Sequence, residues 1–229
     1  MQTWNKHLNK KILLKPTITM AKLQVAIDLL TTAEALALAE KVAPYIDIIE
    51  LGTPLIKSEG LAVITAMKNA FPDKIVFADF KTADAGALEA EMAFKAGADL
   101  VTVLATTGNA TIEGAVKAAK QFGKGVVVDT IGEADRVKRA QEVTALGVEF
   151  VELHAGLDEQ AQSGYSIQVL IDEAARVGVP VSIAGGVNIN NIAAVKQAGV
   201  KVAVAGASLY SAADPAAAAK ALREALDAA

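Results

Sequence analysis

Eight short apolar runs recur along the chain, each followed by a stretch with helical spacing: LQVAID (23–28), IDIIEL (46–51), KIVFADFK (74–81), DLVTVLA (99–105), GVVVD (125–129), EFVELH (149–154), VPVSIAGG (179–186) and VKVAVAG (200–206). Strands that are apolar on both faces must be covered on both faces, which is the pattern of a parallel sheet flanked by helices. Repetition of eight βα units suggests closure into a single (β/α)8 TIM barrel, with a doubly wound open sheet as the alternative. Between the runs, Thr31 and Glu34 form a capping box that starts a helix closed by Pro44. Leu61, Ile64, Met67 and Phe71 share one face of another.

Composition bounds the possibilities. At 229 residues and 53% hydrophobic content the chain can bury one sizeable core. A formal net charge of −4 argues against a nucleic-acid partner, since phosphate backbones attract basic surfaces. There is no cysteine, hence neither a disulfide framework nor a thiolate metal site, in keeping with a reducing cytoplasm. No apolar run approaches the roughly 20 residues that a membrane span needs. Residues 1–20 differ from the rest: they lack acidic residues, are rich in lysine, and carry His7 and the only tryptophan, Trp4. We expect them to be an appended extension, and 21–229 to form the catalytic barrel.

Seven of the eight runs end in polar or glycine residues: Asp28, Glu50, Asp79 with Lys81, Asp129, His154, Gly185 and Gly206. The run at 99–105 offers only Thr102 and Thr106. In a (β/α)8 barrel those strand ends form the rim where chemistry takes place. The segment ADFKTADAG is the densest, because strand alternation sends Asp79 and Lys81 to one side and Phe80 to the other, with Asp84 in the turn beyond. A lysine between carboxylates can stabilise a developing enolate or move a proton, although taken alone such an array equally describes a surface ion pair. Several carboxylates converging on one rim call for a cation, and all-oxygen ligands favour Mg²⁺ or Mn²⁺ over zinc. His154 is the single histidine inside the barrel and a candidate general acid or base, or else a histidine bonded at a loop edge. The turns AGGV and AGA after the last two runs, with Gly185, Gly186, Gly206 and Ala207, suit a small phosphate held by backbone N–H groups and a helix N-terminus.

ADFKTADAG, ELGTP (50–54), HAGLDEQA (154–161), IAGGV and AGASLYSAADPAAAA resemble the 3-hexulose-6-phosphate synthase family of the orotidine monophosphate decarboxylase superfamily, over residue 22 to the C-terminus. The related 3-keto-L-gulonate-6-phosphate decarboxylases share the DxKxxD core, yet place arginines where this chain has Leu157 and Ala207. The segment ATTGNAT, with Gly108, lacks an acidic residue that relatives tend to carry, and Ala83 matches the decarboxylase pattern.

The resemblance implies aldol condensation of formaldehyde with D-ribulose 5-phosphate through a 1,2-enediolate. Glu50 and Asp79 would hold Mg²⁺, His154 would act as base, Lys81 would stabilise the enediolate, and Asp28 and Asp129 would orient substrate hydroxyls or Lys81. It further implies a homodimer in which Asp84 reaches the partner's site. Two other readings remain open at this level: the decarboxylase, and a non-catalytic or engineered barrel that displays the basic N-terminal peptide.

Overall fold

The computed structural model describes residues 21–229, so the basic segment 1–20 lies outside the described residues. Eight parallel strands close into a barrel in sequence order: β1 Lys22–Ile27, β2 Ile48–Leu51, β3 Ile75–Thr82, β4 Leu100–Leu104, β5 Gly125–Asp129, β6 Phe150–His154, β7 Val181–Ala184 and β8 Val202–Ala205, with β8 paired back onto β1. The helices are α1 Thr32–Val42, α2 Thr53–Glu59, α3 Ala62–Ala70, α4 Gly86–Ala96, α5 Asn109–Phe122, α6 Arg136–Thr144, α7 Leu157–Gln160, α8 Gln168–Val177, α9 Ile192–Gln197, α10 Ala207–Tyr210 and α11 Pro215–Ala228. Closure, rather than an open sheet, follows from the ladder between β1 and β8, which leaves no strand edge among the described residues.

Alternation along the strands divides the apolar side chains into two cores. Leu23, Val25 and Ile27 of β1, Val126 and Val128 of β5, and their counterparts face outward into the layer under the helices. Ile48, Phe77, Leu100, Val127, Phe150, Val202 and Val204 fill the lumen. Fully burying side chains of this kind contributes roughly 1.5–3 kcal/mol each, so the lumen plug is a rigid floor for whatever lies above it. Above that floor the lumen is polar: Gln24, Glu50, Asp79, Thr102, Asp129, Glu152 and Ser182 are all buried.

Local signals act as expected. Thr31 caps α1 by accepting the Glu34 N–H at 3.3 Å, and Pro44 sits in the 3-10 turn Ala43–Tyr45 that ends the helical stretch. Ile64 and Met67 are buried on α3, with Leu61 and Phe71 packed at the margin.

One strand departs from simple alternation. Ala78 of β3 pairs with Val101 of β4, but the next pair is Thr82 with Val103, so four steps of β3 oppose two of β4. The surplus forms a bulge, and Lys81 within it takes a left-handed φ of 50°. The Lys81 N–H, deprived of a ladder partner, donates to Thr102 Oγ1 at 2.8 Å. Asp79 and Lys81 do share a side, through this bulge rather than a regular pleat. A left-handed backbone at a lysine is costly and clusters at functional sites.

Candidate active site

A cavity of about 720 Å³ opens at the C-terminal ends of the strands. It is lined by Asp28, Glu50, Asp79, Lys81, Glu152 and His154, and by the turns that carry Gly185, Gly186, Gly206 and Ala207. Apart from Asp129, which stands just beneath the surface in contact with both Lys81 and His154, and Asp84, every site residue read from the sequence faces this one space.

Lys81 Nζ lies 2.6 Å from Asp79 Oδ2 and 3.1 Å from Asp129 Oδ2. Burial works against its charge, but Asp79, Asp129 and Glu50 outweigh burial and hold the ammonium above its ordinary range. Asp79 is fixed from several directions: Thr102 Oγ1 donates to Oδ1 at 2.8 Å and Thr53 Oγ1 donates to Oδ2 at 2.7 Å. The Oδ2 of Asp129 also lies 2.9 Å from His154 Nδ1. Burial would raise the Asp129 carboxyl, yet His154 and Lys81 draw it down to about 2. Burial likewise opposes charge on His154, but Asp129, with help from Glu152, pushes the imidazole up to about 9.

Three neighbouring carboxyls are poorly compensated. Burial, then the charge of Asp129, raises Glu152 to about 7. Glu50 is raised by burial and by Glu152 and Asp79, with one donor, Gln24 Nε2, at 2.6 Å. Asp28 is raised by burial and by Asp79.

Glu152 and Gln24 were not read as functional from the sequence, and Thr102 only as a polar candidate of its strand without a role. Glu152 accepts from Ser182 Oγ at 3.1 Å and its Oε1 lies 3.7 Å from His154 Nδ1. A usable signal existed, since Glu152 and His154 are two apart on one strand and so point the same way. Asp84 is exposed and, among the described residues, its Oδ1 accepts only the N–H of Ala85 at 2.7 Å and it does not line the cavity.

The glycine turns have a steric reason. A Cβ on Gly185 would lie 2.7 Å from the Ala155 carbonyl oxygen, and φ of 124° there already excludes most side chains. The helices that follow, α9 and α10, are only 6 and 4 residues long, so the backbone N–H groups rather than a helix dipole carry any anion binding.

Donor atoms of Asp129, Glu152 and His154 lie within 4.8 Å of one another, dimensions compatible with a divalent metal. More broadly, Asp28, Glu50, Asp79, Asp129 and Glu152 gather around one lysine and one histidine; burial, with neighbouring carboxylates adding to it, raises Glu50 and Glu152. An oxygen-rich donor set of this kind fits a divalent cation.

A closed (β/α)8 barrel with a lysine clamped between carboxylates at its C-terminal mouth, facing backbone-lined glycine turns, defines a barrel enzyme for a small polar substrate. More particularly, the chain belongs to the Orotidine 5'-phosphate decarboxylase / HUMPS family, whose family model matches residues 21–222. It is 65% identical over 205 residues to the 3-hexulose-6-phosphate synthase of Mycobacterium gastri, across 90% of this chain and 99% of that protein. A crystal structure of 3-hexulose-6-phosphate synthase matches with a TM-score of 0.88 and 66% identity, over 89% of this chain and 99% of that one. The structure of 3-keto-L-gulonate-6-phosphate decarboxylase from Vibrio cholerae matches with a TM-score of 0.80 at 31% identity, over 92% of this chain and 99% of that one.

Proposed function

We propose that this enzyme is an aldehyde-lyase that condenses formaldehyde with D-ribulose 5-phosphate to give D-arabino-3-hexulose 6-phosphate. The observation that carries the reading is the Asp79–Lys81–Asp129–His154 chain of contacts, set opposite the glycine turns of one cavity. The substrate phosphate binds the backbone N–H groups of Gly185, Gly186, Gly206 and Ala207. Asp28 orients substrate hydroxyls at the rim.

Glu50 and Asp79 hold the divalent ion. Asp129 is in direct contact with Lys81 and His154, whereas Glu50 accepts only the Gln24 amide at Oε2 among the described residues, which leaves its other oxygen for an ion. When bound, Mg²⁺ supplies Lewis acidity toward the substrate oxygens and positive charge that brings His154 toward neutrality. Asp129 grips Nδ1, which leaves Nε2 of His154 to take a proton from substrate C1. Lys81 stabilises the oxyanion of the resulting 1,2-enediolate. C1 then bonds to the formaldehyde carbon, the carbonyl π electrons become an alkoxide, and His154 returns the proton there.

Among the described residues no arginine lines the cavity, and Leu157 and Ala207 occupy its wall. That favours a neutral one-carbon partner over a substrate that must shed a carboxylate. In the homodimer we propose, the exposed Asp84 of one copy serves the other copy's cavity.

An assay with and without EDTA tests the reading. Formaldehyde is expected to disappear only when D-ribulose 5-phosphate and Mg²⁺ are both present. Folded protein that consumes none, or that releases CO₂ from 3-keto-L-gulonate 6-phosphate instead, overturns it.

A further inference from the structure

After β7 the chain turns through Gly185 and Gly186, both with positive φ, 124° and 95°. Consecutive carbonyl groups of this turn are each held by a side chain. The Tyr165 hydroxyl donates to the Gly185 oxygen at 2.6 Å. The side-chain amides of Asn188 and Asn191 both donate to the Gly186 oxygen at 2.9 Å. Asn191 is braced in turn, because its Oδ1 accepts the Asn188 N–H at 2.9 Å.

Tyr165 and Asn191 stand outside the cavity wall, whereas Gly185, Gly186, Val187 and Asn188 form part of it, so the Gly186 oxygen is held from behind by Asn191 and at the rim by Asn188. In a trans peptide the carbonyl and the next residue's N–H point in opposite directions, and there is no cis peptide among the described residues. With their carbonyls drawn back toward Tyr165 and Asn191, the two peptides present the N–H groups of Gly186 and Val187 to the cavity side. Neither N–H has an acceptor among the described residues. Adjacent free N–H groups of this kind make an anion-binding concavity.

Two glycines in succession could let either peptide flip, and a flipped peptide would turn a carbonyl oxygen toward the anion. We infer that Tyr165 and Asn191 are positioning residues that lock both peptides in the phosphate-binding orientation before substrate arrives. This rests on the reading that the turn receives the substrate phosphate, and names the side chains that act through it. Neither side chain touches the anion.

The test follows the amide signals of Gly186 and Val187 in ¹⁵N-labelled protein titrated with inorganic phosphate. In the unaltered enzyme both signals are expected to shift saturably. Tyr165→Phe removes one hydroxyl from a half-buried ring and is expected to weaken phosphate binding about fivefold, the size of one lost hydrogen bond. KM for D-ribulose 5-phosphate should rise by a similar factor. Asn191→Ala should act in the same direction, and serves if Tyr165→Phe fails to fold. Folded variants that bind phosphate as tightly as the parent, with only a lowered Tm, overturn the positioning role while leaving the phosphate site intact. If the parent's Gly186 and Val187 signals ignore phosphate altogether, the phosphate reading itself is overturned.

Discussion

Nδ1 of His154 lies 2.9 Å from Oδ2 of Asp129, and the same oxygen lies 3.1 Å from Nζ of Lys81. One carboxylate therefore orients the proposed base and anchors the proposed oxyanion stabiliser. Asp129→Asn keeps the shape and removes the charge. The imidazole, now pushed up to about 9, should fall toward its ordinary 6.5, because its largest charge-favouring neighbour is gone. With only two histidines in the chain, NMR titration reads this directly. We expect kcat to drop ~10²-fold or more, the usual worth of a positioned acid or base. An unshifted His154 titration would remove Asp129 from this role.

Glu152 gives the metal-free protein a distinctive pH dependence. Its carboxyl is raised from 4.5 to about 7, so the folded state binds that proton more tightly than the unfolded chain does. Stability from this group is therefore complete below pH 4.5 and is lost as pH rises through 7, a loss of about 3 kcal/mol. His154, raised from 6.5 to about 9, acts with the same sign and loses its contribution as pH rises through 9. Urea unfolding in EDTA should show stability declining from pH 5 to 9. Glu152→Gln should flatten the lower half of that decline, and a profile that rises over this range would contradict the assignment.

The βα rhythm and the rim residues were legible because each strand ends where its apolar run ends. A polar residue such as Asp28 or His154 interrupts a hydrophobic pattern, which composition along the chain reveals. The deeper polar layer was harder to see. Thr102 lies in the middle of DLVTVLA and Gln24 near the start of LQVAID, where they read as isolated exceptions within strands. Their meaning appears only once closure brings Thr102 to Asp79 and Gln24 to Glu50, pairs separated by 23 and 26 residues. The bulge at Lys81 was equally hidden, since lysine has no propensity for the left-handed backbone it adopts there and the register slip exists only between β3 and β4.

Among the described residues, Lys81 is the only lysine that lines the cavity. Lys81→Ala removes the cation that Asp79, Asp129 and Glu50 share, and we expect kcat to fall ~10³-fold, the cost of losing a preorganised group that stabilises developing charge. It should also leave these buried carboxylates repelling one another, so Tm should fall at pH 8 and recover part of the loss at pH 5, where protonation relieves the repulsion. A Tm deficit independent of pH would mean that the lysine's contribution is packing rather than charge.

Gly52 governs where Asp28 can stand. A Cβ at Gly52 would lie 2.1 Å from Asp28 Oδ1 and 2.7 Å from the Ile27 carbonyl oxygen. The backbone there, φ −60° and ψ 154°, is open to any residue, so the constraint is purely one of space. Rotating Asp28 relieves the first clash but not the second, because the Gly52 N–H donates to that Ile27 oxygen at 2.9 Å and ties the end of β1 to β2. Gly52→Ala should therefore part the two strand ends and displace Asp28 from the rim. We expect a loss of about 1–3 kcal/mol in stability, as for other overpacked sites, and a fall of about tenfold or more in kcat/KM from the displaced carboxylate. Gly108→Ala is the control, since its backbone φ is −68° and nothing lies within 4 Å of the added methyl. That variant should keep its stability to within about 0.5 kcal/mol and its activity unchanged. If Gly52→Ala behaves like Gly108→Ala, the spacing between β1 and β2 does not set the position of Asp28.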